Sequence, residues 1–184
     1  MAFQFSTGLR TARASQHLAQ MILTTNGSWT ASTAYTVGQT VINGGNTYRV
    51  TAAGTSAASG GPTGTGTSIT DGTVTWTYAP PTLKIFSGAE PANAAASDPS
   101  GLLCTMQLPM NALAVASGVA SLNGTWAGTA SAAGTAASFR IYDPSGTNCV
   151  HQGNVTTDLV LNNTSIALNQ SVSVSSYSVT DGNA

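Results

Sequence analysis

Turn-forming residues interrupt the second half of the chain about every ten positions, and this spacing constrains the fold more than any other feature. Between Thr82 and Val179 the short runs are Thr82 to Phe86, Leu102 to Leu108, Gly124 to Gly128 around Trp126, Ala137 to Tyr142, Asn148 to Gly153, Thr157 to Leu161 and Val172 to Val179. Gly, Pro and Asn separate them, and Asp143-Pro144-Ser145-Gly146 is a strong turn signal. Runs this short cannot bury themselves alone. They pair with their neighbours, and the pattern predicts an antiparallel β-sandwich. Asn111 to Ala120 is apolar and Ala-rich and reads equally well as strand or short helix.

The first 81 residues follow two other patterns. Ser6 to Leu23 reads as a helix, capped by Ser6 or Thr7 and ended by Thr24-Thr25-Asn26-Gly27. Leu9, Ala12, Gln16, Ala19 and Leu23 mark one face; alternatively Leu18, Met21 and Ile22 extend that stripe around the back. Phe3 and Phe5 alternate ahead of it, as in a short strand or an anchoring arm. From Ser28 to Tyr78 the content of Val, Tyr, Thr and Trp rises. Gln39 to Ile42 and Thr47 to Thr51 flank Asn43-Gly44-Gly45-Asn46 and predict a hairpin. Thr73 to Tyr78 predicts a strand whose Val74, Trp76 and Tyr78 share one bulky face. Pro80-Pro81 cannot continue a ladder. The expected organisation is an arm and helix (1–27) belonging to the main domain, an inserted small β module (28–81) and a β-sandwich (82–184).

Charge narrows the functional classes. Of 184 residues, five are basic and six acidic, so 6% are charged where about 25% is usual. Arg10, Arg13, Arg49, Lys84 and Arg140 are scattered, which leaves no electrostatic footprint for nucleic acid. No run is long enough to span a membrane, and Met1 to Gln20 lacks the apolar core of a secretion signal. Synthesis in the cytoplasm is therefore expected, with Cys104 and Cys149 reduced. A net charge of −1 leaves little repulsion between copies, which favours association.

Catalytic patterns are thin. His17 and His151 are the two histidines; His17 falls mid-helix, where a solvated face is the simplest reading. Cys149-Val150-His151 puts a thiol and an imidazole on one strand face, but no second pair completes a zinc site. Glu90 and Asp98 lie beside prolines and read as solvated turn residues, as does Asp71 before Gly72. Gly61 to Ser68 has the glycines of a phosphate loop without the Lys or the helix. No catalytic residue, metal ligand or cofactor is expected, and the chain reads as a non-enzyme. The distinctive cluster is aromatic: Trp29, Tyr35, Tyr48, Trp76 and Tyr78. Either these rings fill a module too small for an aliphatic core, or Trp29, Tyr48, Trp76 and Tyr78 stack on a sugar.

Four pieces carry a resemblance. They are Phe5-Ser6-Thr7-Gly8-Leu9-Arg10 opening the helix, Leu83-Lys84-Ile85-Phe86-Ser87-Gly88-Ala89-Glu90-Pro91-Ala92, Leu102-Leu103-Cys104, and Gly134-Thr135-Ala136-Ala137-Ser138-Phe139-Arg140-Ile141. Together they resemble small virion proteins of tailed bacteriophages, in which the helix leads almost at once into the Leu-x-Ile strand. Here Ser28 to Pro81 intervenes. That piece, with Trp29, Tyr35-Thr36-Val37-Gly38, Tyr48-Arg49-Val50, Gly61-Pro62 and Asp71-Gly72-Thr73-Val74-Thr75-Trp76, is similar to a recurrent phage module, and its front half is also similar to small aromatic β modules that bind chitin-like polysaccharides. The resemblance implies a capsid decoration (cement) protein with a jelly-roll-like sandwich. It would be made in the host bacterial cytoplasm and bound outside the head as a homodimer or homotrimer. Its partner would be the major capsid protein. The N-terminal arm is a candidate contact, with Phe3 and Phe5 burying apolar area and Arg10 and Arg13 meeting lattice carboxylates; alternatively both rings fill their own subunit's core. The alternative the resemblance implies is a neck, tail or baseplate protein whose module binds host polysaccharide.

Overall fold

The computed structural model describes residues 4–181, so Phe3 lies outside the described residues. The chain opens with a 15-residue helix, α1 (Thr7–Met21), where Ser6 accepts the N–H of Leu9 at 3.2 Å and so satisfies one orphan donor of the first turn. Six strands follow: β1 (Ala34–Tyr35), β2 (Thr40–Asn43), β3 (Asn46–Ala52), β4 (Gly54–Thr55), β5 (Ile69–Asp71) and β6 (Val74–Tyr78). The next four are β7 (Thr82–Phe86), β8 (Leu102–Gln107), β9 (Leu113–Ala116) and β10 (Val119–Leu122). The last seven are β11 (Ala127–Thr129), β12 (Gly134–Thr135), β13 (Ser138–Tyr142), β14 (Cys149–Asn154), β15 (Leu159–Leu161), β16 (Ser165–Ile166) and β17 (Ser171–Thr180). The protein is mainly β, and every strand pair is antiparallel.

Two sheets enclose the larger core. One runs β14-β13-β7-β8; the other runs β11-β17-β10-β9, with β15 also paired to β17. Alternation explains the filling. Leu83 and Ile85 of β7, Phe139 and Ile141 of β13 and Met106 of β8 point inward against Trp126, Val172 and Tyr177, and all are buried. Asn111 to Ala120, undecided in the sequence, forms the hairpin β9-β10. Its turn, Ser117-Gly118, has positive φ at both positions (52° and 83°), as a tight right-twisted hairpin requires.

Helix α1 lies on that hairpin and on β14 with the side carrying Leu18 and Met21, the alternative to the face of Leu9 and Leu23. Ala14 and Met21 are buried and Leu18 packs beside them, whereas Leu9 and Leu23 are 46% and 50% exposed. Ala12, Gln16 and Ala19 are exposed with them. Polar contacts set the rotation. Thr11 Oγ1 accepts the N–H of Gly118 at 3.1 Å, and His17 meets His151, so the face carrying these two residues turns inward.

Residues 28–81 hold a separate core. Sheet β2-β3-β6-β5 and the small pair β1-β4 surround Tyr35, Val41, Tyr48, Val50, Val74 and Trp76. The turn between β2 and β3 places Gly44 and Gly45 at φ 55° and 80°, which residues with a Cβ adopt only at a cost. The flanks on either side of this span share the larger core, which contains Ala14 and Met21 as well as Leu83 and Ile85. Polar contacts on both flanks tie the two parts together: on the N-terminal side Asn26 N–H donates to Thr40 O at 3.0 Å and Ile42 N–H donates to Gly27 O at 2.8 Å. Leu108 N–H donates to Pro81 O at 2.9 Å, Arg49 donates to Ser145 O at 2.8 Å, and Thr47 Oγ1 touches Met110 Sδ at 3.4 Å while donating to Ala79 O.

Candidate functional sites

The aromatic cluster is mostly core. Trp76 is 0% and Tyr48 1% exposed, which removes both rings from any sugar-stacking surface and corrects that part of the expectation. The physical cause is size: a four-stranded module has little else to bury, so its rings face inward. Tyr35 meets Trp76 edge-on at 4.9 Å between centroids, and Tyr48 meets Tyr78 similarly at 6.2 Å. Trp29 and Tyr78 keep partial exposure. One flank of Trp29 is covered, because a Cβ added at Gly61 would lie 2.9 Å from the indole.

Asp71 is not the solvated turn residue expected from Asp-Gly. It is 5% exposed, and its Oδ2 accepts the indole N–H of Trp29 at 2.7 Å and of Trp76 at 3.2 Å. Its Oδ1 accepts the backbone N–H of Ala57 at 3.0 Å. Three donors on one carboxylate compensate for its burial and fix both tryptophans.

The second cluster holds the loop between β7 and β8. Arg140 is 1% exposed and its guanidinium donates to the backbone oxygens of Ala94 and Ala96, to Asp98 Oδ1 at 3.0 Å and to Cys149 Sγ at 3.2 Å. Lys84 Nζ lies 2.9 Å from Asp98 Oδ2, and Tyr142 donates to Oδ1. Burial acts to raise the Asp98 pKa, yet the hydrogen bonds from Tyr142 and Lys84 and the charges of Lys84 and Arg140 outweigh it and hold it below the usual value. Glu90 is held elsewhere, accepting from Gln152 Nε2 at 3.2 Å and Asn154 Nδ2 at 2.8 Å. The two carboxylates are thus clamps on one loop, each committed to its own donors.

Cys149 and His151 do not share a face. A β-bulge opposite Ile141 and Tyr142 leaves Val150 unpaired, so Cys149 faces Arg140 while His151 faces α1 and β17. Both cysteines are free thiols, and burial pushes the pKa of each up, which keeps them poor nucleophiles. Among the described residues no group of three or more His, Cys, Asp or Glu is placed to hold a metal ion.

His17 is likewise not on a solvated face. Its Nδ1 lies 3.0 Å from His151 Nε2, and His151 Nδ1 lies 2.8 Å from the Tyr177 hydroxyl. His17 Nε2 stands 3.5 Å from Asp181 Oδ2, an ion-pair distance without hydrogen-bond alignment, and Arg13 stands 3.5 Å from Oδ1. Burial, then the charge of His17, pushes His151 down to about 4; burial, then Asp158, pushes Tyr177 up. A cavity of about 470 Å³ opens beside this group, lined by Phe139, Val150, His151, Gln152, Asp158 and Tyr177 among others.

Of the expected interface residues, Phe5, Arg10 and Arg13 already have contacts within the chain, and Phe3 lies outside the described residues. Arg13 lies 5.0 Å from the centroid of the Phe5 ring as well as against Asp181, and Arg10 reaches Thr7 Oγ1 at 3.5 Å. Comparison of the chain with protein-family models, with curated proteins and with solved structures finds no match. Among the described residues no helix is long and apolar enough to cross a membrane.

Proposed function

We propose that this chain is a non-enzymatic structural protein of a tailed-bacteriophage virion, a capsid decoration protein that binds the outside of the head and stabilises the shell. One observation carries the reading beyond the sequence resemblance. Each of the five basic and six acidic residues has a polar partner inside its own chain: Arg10 with Thr7, Arg13 with Asp181, Arg49 with Ser145, Lys84 and Arg140 with Asp98, Asp71 with two indoles, Glu90 with Gln152, Asp143 with Asn148, and Asp158 with Asn154. Charge here is spent on holding the fold. What faces outward is dominated by uncharged Ser, Thr, Asn and Ala, plus the exposed helix stripe of Leu9 and Leu23. Such a surface suits close assembly, because its contacts need no ion pairs that salt would screen.

The proposed mechanism is linkage. A ligand that binds only the assembled lattice stabilises it by RT ln(1 + [L]/Kd), about 3 kcal/mol per site at a hundredfold excess. A homodimer or homotrimer that bridges capsomers adds avidity. In this reading the two facing sheets form a jelly-roll-like sandwich, residues 28–81 are an inserted module, and α1 with the preceding arm supplies the contact. A lattice carboxylate would have to compete with Asp181 for Arg13, so Leu9, Ala12 and Leu23 are the better contact residues. Imaging of virions that locates and counts this chain tests the proposal: many copies on the head support it, and a single ring at the neck or tail overturns it.

The reading in which the module binds host polysaccharide keeps only Trp29 and Tyr78 as ring surfaces, since Tyr48 and Trp76 are internal. It is the weaker of the two.

A further inference from the structure

The two histidines of the chain, 134 positions apart, face each other across the junction of α1 and β14. Their rings are 5.0 Å apart between centroids and tilted by 58°. The groups around them come from every element packed there: Arg13 on α1, Tyr177 on β17, Asp181 just beyond it, and Asp158 between β14 and β15.

The contact at 3.0 Å requires one nitrogen to donate and the other to accept. One added proton can be absorbed. With His17 as the imidazolium, its Nδ1–H still donates to His151 Nε2, its Nε2–H faces Asp181, and His151 Nδ1–H donates to the Tyr177 oxygen. A second proton cannot be absorbed. Both facing nitrogens would then be donors and both rings positive, with no acceptor between them.

The rest of the helix anchor is modest. Ala14 and Met21 are its buried residues, Leu18 is partly covered, and Leu9 and Leu23 stand outside. The larger core, by contrast, lies between two sheets whose strand pairs involve no residue of α1.

We propose that α1 is an acid-released clasp, docked on β14 and the β9-β10 hairpin while the histidine pair carries at most one proton, and detached when both rings are protonated. The proposal rests on the fold alone and stands whether or not the chain decorates a capsid. While docked, His151 holds off its proton until about pH 4, whereas a released ring takes it up near its ordinary 6.5, so falling pH favours release across that window. A helix freed in this way would expose Met21, Leu18 and the β9-β10 face to a new partner or to a second copy.

Hydrogen exchange of the full chain, followed by mass spectrometry at pH 7 and pH 4 and corrected for intrinsic rates, tests this. Residues 7–21 should lose protection by at least about tenfold at pH 4, while β7 and β13 keep theirs. In His17→Gln, whose amide can accept from a protonated His151, the helix should stay protected at pH 4; His151→Gln serves as an independent second variant. The proposal is overturned if helix protection is the same at both pH values. It is equally overturned if β7 and β13 lose protection together with the helix, or if folded variants release it as the native chain does.

Discussion

Trp29 and Trp76 donate to the same oxygen, Oδ2 of Asp71. A buried carboxylate therefore does for this small core what a larger aliphatic filling would do elsewhere. Replacing Asp71 by Ala leaves the Trp76 N–H buried without an acceptor and frees the Trp29 side chain. Hydrogen bonds to a charged group are worth about 1.5–3 kcal/mol each, so the module should lose about 3 kcal/mol. Asp71→Asn keeps one carbonyl oxygen for the indoles and should cost less than half as much. Urea unfolding followed by tryptophan fluorescence checks the order; equal losses in the two variants would show that the shared oxygen is not what matters.

The same module depends on two backbones passing closely. A Cβ at Gly72 would stand 2.3 Å from Thr55 O, and one at Gly54 would stand 2.4 Å from Thr73 O. Gly72 also has φ of 65°, so an added side chain meets strain as well as a clash. Gly72→Ala is expected to cost about 2 kcal/mol or more. Gly64→Ala has a positive φ of 80° but open space around its Cβ position, and should cost about 1 kcal/mol. Thermal unfolding of the pair separates steric contact from backbone strain.

Arg140 should be the most costly basic residue to remove. Arg140→Met strands the carbonyls of Ala94 and Ala96 and leaves Asp98 with Lys84 and Tyr142, for a loss of about 3 kcal/mol; the low end of the range for buried pairs applies because Asp98 is 37% exposed. The loop between β7 and β8 should then be cut by trypsin-independent proteases such as thermolysin far faster than in the native chain. The pH dependence follows from the lowered pKa of Asp98. A carboxylate depressed in the folded state adds stability above its unfolded pKa and loses it as pH falls through the folded value. Loop protection should accordingly hold from pH 7 to about 4 and fail below that, and Asp98→Asn should abolish this acid dependence. A midpoint near neutrality would contradict the assignment.

Most strands were legible because their turns are written in residues that tolerate positive φ. Gly44-Gly45 announced β2-β3, and Asp71-Gly72 announced the turn ahead of β6, though not the short β5 before it. Ser117-Gly118 carried the same signal for β9-β10, but Ala-rich flanks fit helix and strand alike and masked it. The helix was legible and its orientation was not. An apolar stripe at Leu9, Ala12, Ala19 and Leu23 looks like a core face until Thr11 and His17 find partners on the sheet, and those partners, Gly118 and His151, are 107 and 134 positions away. The Cys149–His151 pairing failed for a similar reason: a bulge shifts facing by one residue and leaves no mark in composition. Asp71 was readable as a turn residue but not as a buried anion, because nothing local states that two indoles converge on it.

The exposed stripe gives the capsid reading its sharpest test. Leu9 on α1 and Leu23 just past its C-terminal end are 46% and 50% exposed, so neither contributes much to the subunit's own stability. Changing both to Ser should move the unfolding free energy by no more than about 0.5 kcal/mol each, as for surface positions generally. If α1 is the capsid contact, the same double variant should bind mature shells at least about tenfold more weakly, since burying each leucine against the lattice is worth about 1.5 kcal/mol or more. Cosedimentation with shells stripped of the protein measures this directly. Arg13→Gln makes the control: its guanidinium is already shared between Phe5 and Asp181, so binding should fall less than for the leucine pair. Undiminished binding by the leucine variant would move the contact to another face of the molecule, and a larger loss from Arg13→Gln would show that the lattice recruits charge after all.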